Sequence, residues 1–282
     1  MTDTSLHRAQ RGVALLAVLW LVAAMSLIIT GVVQSVRGEI RTAGQQRQVA
    51  VAGALADAAI LLALQNLHAL QKEPLNTLQS IPVQFQGAIR QVTVQPLNSM
   101  VDINHAGALL LTDMYRYAGG LNADAAQAMA QVTINTREAK SSKGTLQGFD
   151  AVEDLLQVPT MTYGLYAKIL RVVTSDLKEG SGRINALAAP LEVLKILTSG
   201  DVARATAMVA QRGANPNVMD TSFLKPDLVE TAASRSLRLQ AEIELPNGGL
   251  LLKAWNVYWD TDPRSGLPWR MLGSQQSLQR AD

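Results

Sequence analysis

Cysteine is absent from this 282-residue chain, and histidine occurs only three times. The lack of cysteine excludes disulfides, thiolate nucleophiles and cysteine-bound zinc, and leaves the redox compartment open. The three histidines, His7, His68 and His105, lie in separate regions without the spacing of paired metal ligands. The sequence also has no nucleophile elbow, phosphate loop or dinucleotide fingerprint. We therefore predict a non-enzymatic protein with no catalytic residues and no cofactor.

Charge is sparse and nearly balanced. There are 25 basic and 23 acidic residues, which gives a formal net charge of +2. Proteins that bind nucleic acid usually carry a strongly basic surface, because they neutralise phosphates. The composition therefore predicts no nucleic-acid partner.

The longest stretch without charge is Val13–Val36, with the sequence VALLAVLWLVAAMSLIITGVVQSV. At about 1.5 Å per residue, a helix of this length crosses a hydrocarbon core of roughly 30 Å. The alternatives are a buried helix of a soluble protein and a cleaved secretory signal. The first usually has a polar face, and the second usually has an apolar region of about 7–15 residues. We predict a transmembrane helix that continues without a turn through residues 38–70.

Two β-rich regions flank a long helical stretch. The second has a clean apolar–polar alternation, which is typical of a half-buried strand, followed by a turn and two more strands. It holds three of the four tryptophans, which we interpret as part of the sheet core and its rim. The predicted segments are Val83–Leu97, split at Gly87, and then Leu237–Leu245, Leu250–Trp259 and Leu267–Leu272; the tryptophans are Trp255, Trp259 and Trp269.

The helical stretch contains an internal echo. The two segments, 101–106 and 182–188, each predict a short strand, an asparagine at a helix start (Asn104 and Asn185) and a leucine-rich helix. Between them, residues 148–170 resemble a helix-hairpin-helix, a motif that binds DNA through backbone N–H groups of its turn. Here the turn at 158–162 lacks glycine, and its proline has no N–H. Nucleic-acid binding therefore stays an alternative.

The N-terminus carries the first resemblance to a known family. A basic leader ends at Arg11-Gly12, and the apolar helix starts at Val13. This arrangement resembles a type IV prepilin-like signal, and the resemblance implies cleavage after Gly12 by a prepilin peptidase and methylation of Val13. Pilins and most pseudopilins have glutamate at the fifth mature position, which is Ala17 here. An unpaired carboxylate is costly in an apolar phase, so Ala17 suits a subunit with no neighbour above it.

An apolar residue at that position is typical of the K-type minor pseudopilins of the type II secretion system, the general secretion pathway protein K family. Two further features are similar to that family. They are the repeated Ile-Asn steps and the segment Leu155–Met161, in which Thr160 replaces the family's glycine. The resemblance spans nearly the whole chain.

This resemblance implies a single-pass protein of the cell inner membrane with its C-terminal domain in the periplasm. It would lie at the tip of the pseudopilus, where it would help the I- and J-type minor pseudopilins initiate assembly for the export of folded proteins. The alternatives are a minor pilin of a type IV pilus or competence system, and a membrane-tethered nucleic-acid-binding protein.

The implied fold class is α+β. A long N-terminal helix would pack on a small antiparallel sheet, with a large all-helical domain inserted between the β segments. The predicted domains are a leader at 1–12, a transmembrane helix at 13–36, the helix and first β segments at 37–100, the inserted helical domain at 101–231, and a β meander at 232–282.

Calcium needs a separate prediction, because relatives in this family often bind it in the helical domain. The corresponding stretch, Gln131–Lys140, has one carboxylate, Glu138, whereas calcium takes about 6–8 oxygen ligands. Elsewhere, Asp260 and Asp262 are candidate ligands in the turn at 260–266. Arg264 stands where a third oxygen ligand would be needed. We therefore predict a polar turn, no metal, and folding without calcium.

Overall fold

The N-terminal helix, α1, runs unbroken over Leu6–Leu70. At 1.5 Å per residue it is about 100 Å long. The predicted continuation of the apolar helix through residues 38–70 is confirmed. The structure, a computed structural model, describes residues 6–70, 74–139, 148–177, 180–214, 219–261 and 264–280; within these it describes no side chains at 6–15, 30–33, 214 and 280.

A hairpin follows α1. Its strands are β1 (Gln79–Phe85) and β2 (Ala88–Pro96), which pair antiparallel. The two turn residues, Gln86 and Gly87, have φ of 51° and 75°. Positive φ at both positions is the signature of a type I′ turn, whose twist matches that of the paired strands.

The helical stretch comes next and also contains four two-residue strands. β3 pairs with β4, and β5 pairs with β6, each in parallel. In chain order the elements are β3 (Val101–Asp102), α2 (Ala108–Tyr117), α3 (Ala123–Glu138), a 3₁₀ turn (Val152–Gln157), α4 (Tyr163–Ile169), β4 (Val173–Thr174), β5 (Ile184–Asn185), α5 (Leu191–Leu197), α6 (Val202–Ala214) and β6 (Val229–Glu230).

Three long strands complete the main sheet: β7 (Ser236–Glu244), β8 (Gly249–Tyr258) and β9 (Arg270–Arg280). The sheet is antiparallel and has the order β1-β2-β7-β8-β9. The third strand of the meander therefore lies later than the predicted Leu267–Leu272. Pro268 cannot donate to a strand ladder, whereas the polar run after Arg270 pairs through its backbone irrespective of side-chain polarity.

The C-terminal half of α1 packs on one face of this sheet. Four alanines at alternating spacings of four and three residues form a stripe that is at most 3% exposed. Small side chains let the helix axis approach the sheet closely, and Gly53 continues this contact: a Cβ there would lie 3.2 Å from the Gln276 amide oxygen. The stripe residues are Ala52, Ala56, Ala59 and Ala63, and they meet Val92, Val94, Leu237, Leu239 and Ala241.

Buried side chains form two separate clusters. One contains the α1 stripe and the main sheet, with members from residues 52–94 and 237–269. The other draws its members from residues 100–228, in the helical stretch. The protein is thus a mixed α/β protein with a long apolar N-terminal helix and an antiparallel sheet.

The close approach of α1 to the sheet generates the first prediction. Ala59→Leu should lower the free energy of unfolding by about 1–3 kcal/mol, because the larger side chain overpacks a site that is 0% exposed. The control is Ala54→Leu, at an exposed position of the same helix. Leucine and alanine have similar helix propensity, so this variant should behave like the parent. Urea unfolding in detergent, followed by tryptophan fluorescence, measures both. Equal midpoints would contradict the packing.

Candidate functional site

The N-terminal half of α1 has no counterpart to the alanine stripe. All side chains at 16–29 and 34–48 are exposed, including Trp20 at 74% and Leu27 at 75%. Exposed apolar surface on this scale is unfavourable in water and marks a membrane or protein contact. Within the described ranges, α1 is the one helix long and apolar enough to cross a membrane.

One polar group in this apolar run is satisfied within the helix. The Ser26 hydroxyl donates to the Val22 carbonyl at 2.8 Å, which removes the cost of an unpaired hydroxyl in an apolar phase. Ala17, at the predicted fifth mature position, is exposed on the same helix. Gly12 and Val13 lie in its helical backbone, and their side chains are outside the described set.

A polar contact fixes α1 on the sheet in the middle of the alanine stripe. The Trp255 indole N–H donates to Asp57 Oδ1 at 2.9 Å, and Lys253 Nζ lies 3.4 Å from the same oxygen. Asp57 is partly exposed, so the ion pair itself adds little free energy. Its directional hydrogen bond, however, selects which turn of α1 faces β8. The tryptophan prediction holds here, since Trp255 and Trp259 pack at the edge of this cluster and Trp269 is buried in it.

The helical stretch contains two matching turns. Asp102 ends β3, and its Oδ1 accepts from the Asn104 N–H at 3.0 Å. Asn185 ends β5, and its Oδ1 accepts from the Leu187 N–H at 3.1 Å. In both cases a helix begins six residues later, at Ala108 and at Leu191.

An arginine closes each turn. Arg137, near the end of α3, donates through Nη1 to the Ala106 carbonyl at 2.7 Å. Arg212, near the end of α6, donates through Nη1 to the Ala189 carbonyl at 2.6 Å. The two carbonyls hold equivalent places, just before α2 and α5. The internal repeat is therefore present in the structure. However, the structure aligns Asp102 with Asn185, whereas the Ile-Asn match aligned Asn104 with Asn185.

The predicted role of the two asparagines is wrong. The helix N-caps are Gly107 and Pro190, and neither has a side-chain cap. Asn104 instead bonds the Phe149 backbone twice, through Nδ2 at 2.9 Å and Oδ1 at 2.8 Å. A sequence search for an acidic or amide residue ending a short strand, with an arginine in the second helix after it, would have found the correct alignment.

The histidine of the first turn contacts a buried carboxyl. His105 Nδ1 bonds Asp102 Oδ2, and Asp102 is 4% exposed. Burial raises the pKa of Asp102 above its ordinary value, although the His105 hydrogen bond acts in the opposite direction. Gly180 is needed beside this pair, because a Cβ there would lie 2.7 Å from Asp102 Oδ2. His68 is exposed near the end of α1, and the side chain of His7 lies outside the described set.

The turn that resembles a helix-hairpin-helix uses its own backbone donors. The Val158 N–H donates to the Leu155 carbonyl just before the turn, and the Met161 N–H donates to the Val158 carbonyl, at 3.1 Å each. Thr160 takes φ of 69°, the conformation that the family's glycine would adopt without strain. The nearby Lys168 donates to the Gly119 carbonyl at 3.3 Å. These contacts occupy two backbone donors of the turn and the nearby lysine.

The candidate metal ligands do not form a cluster among the described residues. Asp260 is exposed, and its Oδ1 accepts from the Thr261 N–H at 2.8 Å, whereas Asp262 lies outside the described residues. Glu138 lies 3.7 Å from Arg137. Throughout the described ranges, no three His, Asp or Glu side chains gather as metal ligands would.

Comparison with known proteins gave no match: no family model and no curated protein matches the chain. The functional interpretation therefore rests on the residues and their geometry.

The buried Asp102 generates a pH-dependence prediction. Its pKa is raised above the ordinary 3.8, so the folded state holds the proton more tightly than the unfolded state. Asp102 therefore lowers stability as the pH rises through the raised pKa. Asp102→Asn keeps the Oδ1 acceptor and introduces the residue type of the second turn, Asn185. We expect the melting temperature of Asp102→Asn to rise relative to that of the parent as the pH increases above the ordinary aspartate value of 3.8.

Asp150→Asn, at an exposed carboxylate, is the control for that measurement. Its melting temperature should track that of the parent across the same range. A loss of stability in Asp102→Asn that grows with pH would contradict the burial argument.

Proposed function

We propose that the chain is a non-enzymatic minor pseudopilin of the K type, at the tip of a type II secretion pseudopilus. The observation that carries this proposal is the division of α1 into two halves. One half exposes a charge-free apolar surface over residues 16–29, and the other buries an alanine stripe on an antiparallel sheet. A single rigid helix thus joins a membrane segment to a folded domain.

The exposed half of α1 also supports an assembly role. An apolar helix that meets nothing in its own chain gains stability from lipid and from neighbouring helices. In a pseudopilus, such helices pack side by side. Since Ala17 offers no carboxylate to the amine of another subunit, this chain suits the terminal position. The helix orientation that the leader implies places the sheet and the helical stretch in the periplasm.

The helical stretch, in this proposal, is a domain inserted into the pilin-like sheet at residues 101–231. Its support is that β2 and β7 are neighbours in the sheet, with Val92 opposite Ala241, although the whole helical stretch lies between them. The separate hydrophobic cluster at 100–228 supports the same division. We propose that this domain contacts the I- and J-type minor pseudopilins.

A minor pilin of a type IV pilus or competence system would share the anchor and the sheet. Ala17 favours the secretion pseudopilus over that alternative. The N–H groups of Val158 and Met161 and the amine of Lys168 already donate to backbone carbonyls. This favours a pseudopilin or a pilin over a membrane-tethered nucleic-acid-binding protein.

Processing tests the proposal. In cells with an active prepilin peptidase, mass spectrometry should find the chain starting at a methylated Val13. Gly12→Ala should block cleavage, because the residue before the scissile bond changes. Gly38→Ala is the control, since it lies in the same helix with nothing within 4 Å of an added Cβ. An intact leader in the parent protein would overturn the proposal.

The tip position has its own test. Ala17→Glu places an unpaired carboxylate in the apolar phase, at about 2–3 kcal/mol on insertion scales. We expect weaker co-purification with other minor pseudopilins. Ala17→Gln separates the charge from the added length and should lose less. Stronger incorporation of Ala17→Glu, or filaments of this subunit alone, would contradict a tip role.

A further inference from the structure

A cavity of 280 Å³ lies between the outer face of the main sheet and the start of α5. The sheet supplies Thr93, Gln95 and Arg238, and the helical stretch supplies Leu191 and Arg212. The lining thus combines two guanidinium groups and neutral polar groups with an apolar wall. No carboxylate lines the cavity among the described residues.

The positive charge of Arg212 has no counter-ion among the described residues. Its Nη1 is held by the Ala189 carbonyl at 2.6 Å, and it forms no ion pair with a described carboxylate. The equivalent Arg137 differs, since Glu138 lies 3.7 Å from its Nη2. Burial lowers the pKa of Arg212, as expected for a cation that is partly removed from water.

Arg238 is also partly buried, but it differs from Arg212 in that one carboxylate, Asp176, interacts with its charge. Its cross-strand neighbours are Gln95 and Asn256, both neutral amides, and its Nη2 donates to Gln275 at 2.8 Å. Burial lowers the pKa of Arg238, and the charge of Asp176 acts in the opposite direction. Asp176, however, uses its Oδ2 to accept from Asn256 Nδ2 at 2.5 Å and forms no described ion pair with Arg238.

We propose that this cavity, the arginine cleft, binds a carboxylate that carries a short apolar group. A partly buried cation without a counter-ion is stabilised by an incoming anion. Guanidinium groups bind carboxylates through charge-assisted, bidentate hydrogen bonds, and each arginine has N–H donors that its partners among the described residues do not use. The apolar wall at Leu191 selects a carboxylate with an apolar body over a bare inorganic anion. The carboxylate can come from a free acid or from the C-terminus of a peptide.

The test is calorimetric titration of the full-length protein in detergent with four probes. They are N-acetyl-leucine and its amide, and an Ala-Ala-Leu peptide with a free or an amidated C-terminus. We expect saturable binding of the free carboxylates and at least a tenfold weaker response to both amides. Binding of the acid alone would identify a small-molecule site, and tighter binding of the free peptide would identify a chain-end site. Absence of saturable binding, or equal binding of the amides, would overturn the proposal.

Variants locate the site. Arg238→Gln should weaken binding at least tenfold, whereas Arg171→Gln, at an exposed arginine outside the cavity, should not. Because Arg238→Gln can also disturb the sheet, Gln95→Glu provides a second measurement. It keeps both arginines and places a carboxylate in the cross-strand position opposite Arg238, so it should also abolish binding while the protein stays folded. Unchanged binding in folded Gln95→Glu would overturn the proposal.

Discussion

The close contact between the alanine stripe of α1 and the main sheet is the constraint on which the rest of the structure depends. It requires small side chains at four positions, since one bulky residue would separate the helix from the sheet. It also sets the direction in which the N-terminal half of α1 leaves the folded part. The hydrogen bond from Trp255 to Asp57 fixes the helix along its axis, because an indole N–H has one direction. Apolar packing supplies the free energy of this contact, and one polar bond supplies its register.

A second set of contacts joins the helical stretch to the strands around it. Asn98 Nδ2 donates to Glu230 at 2.9 Å, and Asn185 Nδ2 donates to the Asn76 carbonyl at 2.7 Å. The first bond joins the two ends of this stretch, and the second links its middle to the segment between α1 and β1. Polar contacts of this type hold the two ends together and define a geometry, while each hydrophobic cluster supplies its own stability. The arginine cleft lies in the same region, between the sheet and the helices.

Sequence patterns predicted the parts of this fold that depend on local periodicity. The uninterrupted apolar run predicted α1, strict alternation predicted β7, and the turn after β7 predicted β8. The limits of β9 escaped prediction, because the backbone pairing of an edge strand needs no apolar alternation. The pairing of His105 with Asp102, and the grouping of Arg212 with Arg238, also escaped it. Those contacts depend on how the segments pack in three dimensions, which no local sequence pattern encodes.

The neighbouring positions of β2 and β7 have a consequence for the order of folding. Pro96 pairs with Leu237, so the sheet closes only after the intervening chain has been brought back on itself. For an unfolded loop of that length, closure costs about 4 kcal/mol of chain entropy beyond a constant term. If the helices collapse first, they shorten the effective loop before the strands meet. Until β7 arrives, the edge of β2 in the β1–β2 hairpin would stay unpaired and exposed. During this interval the chain is most susceptible to aggregation and most accessible to a chaperone.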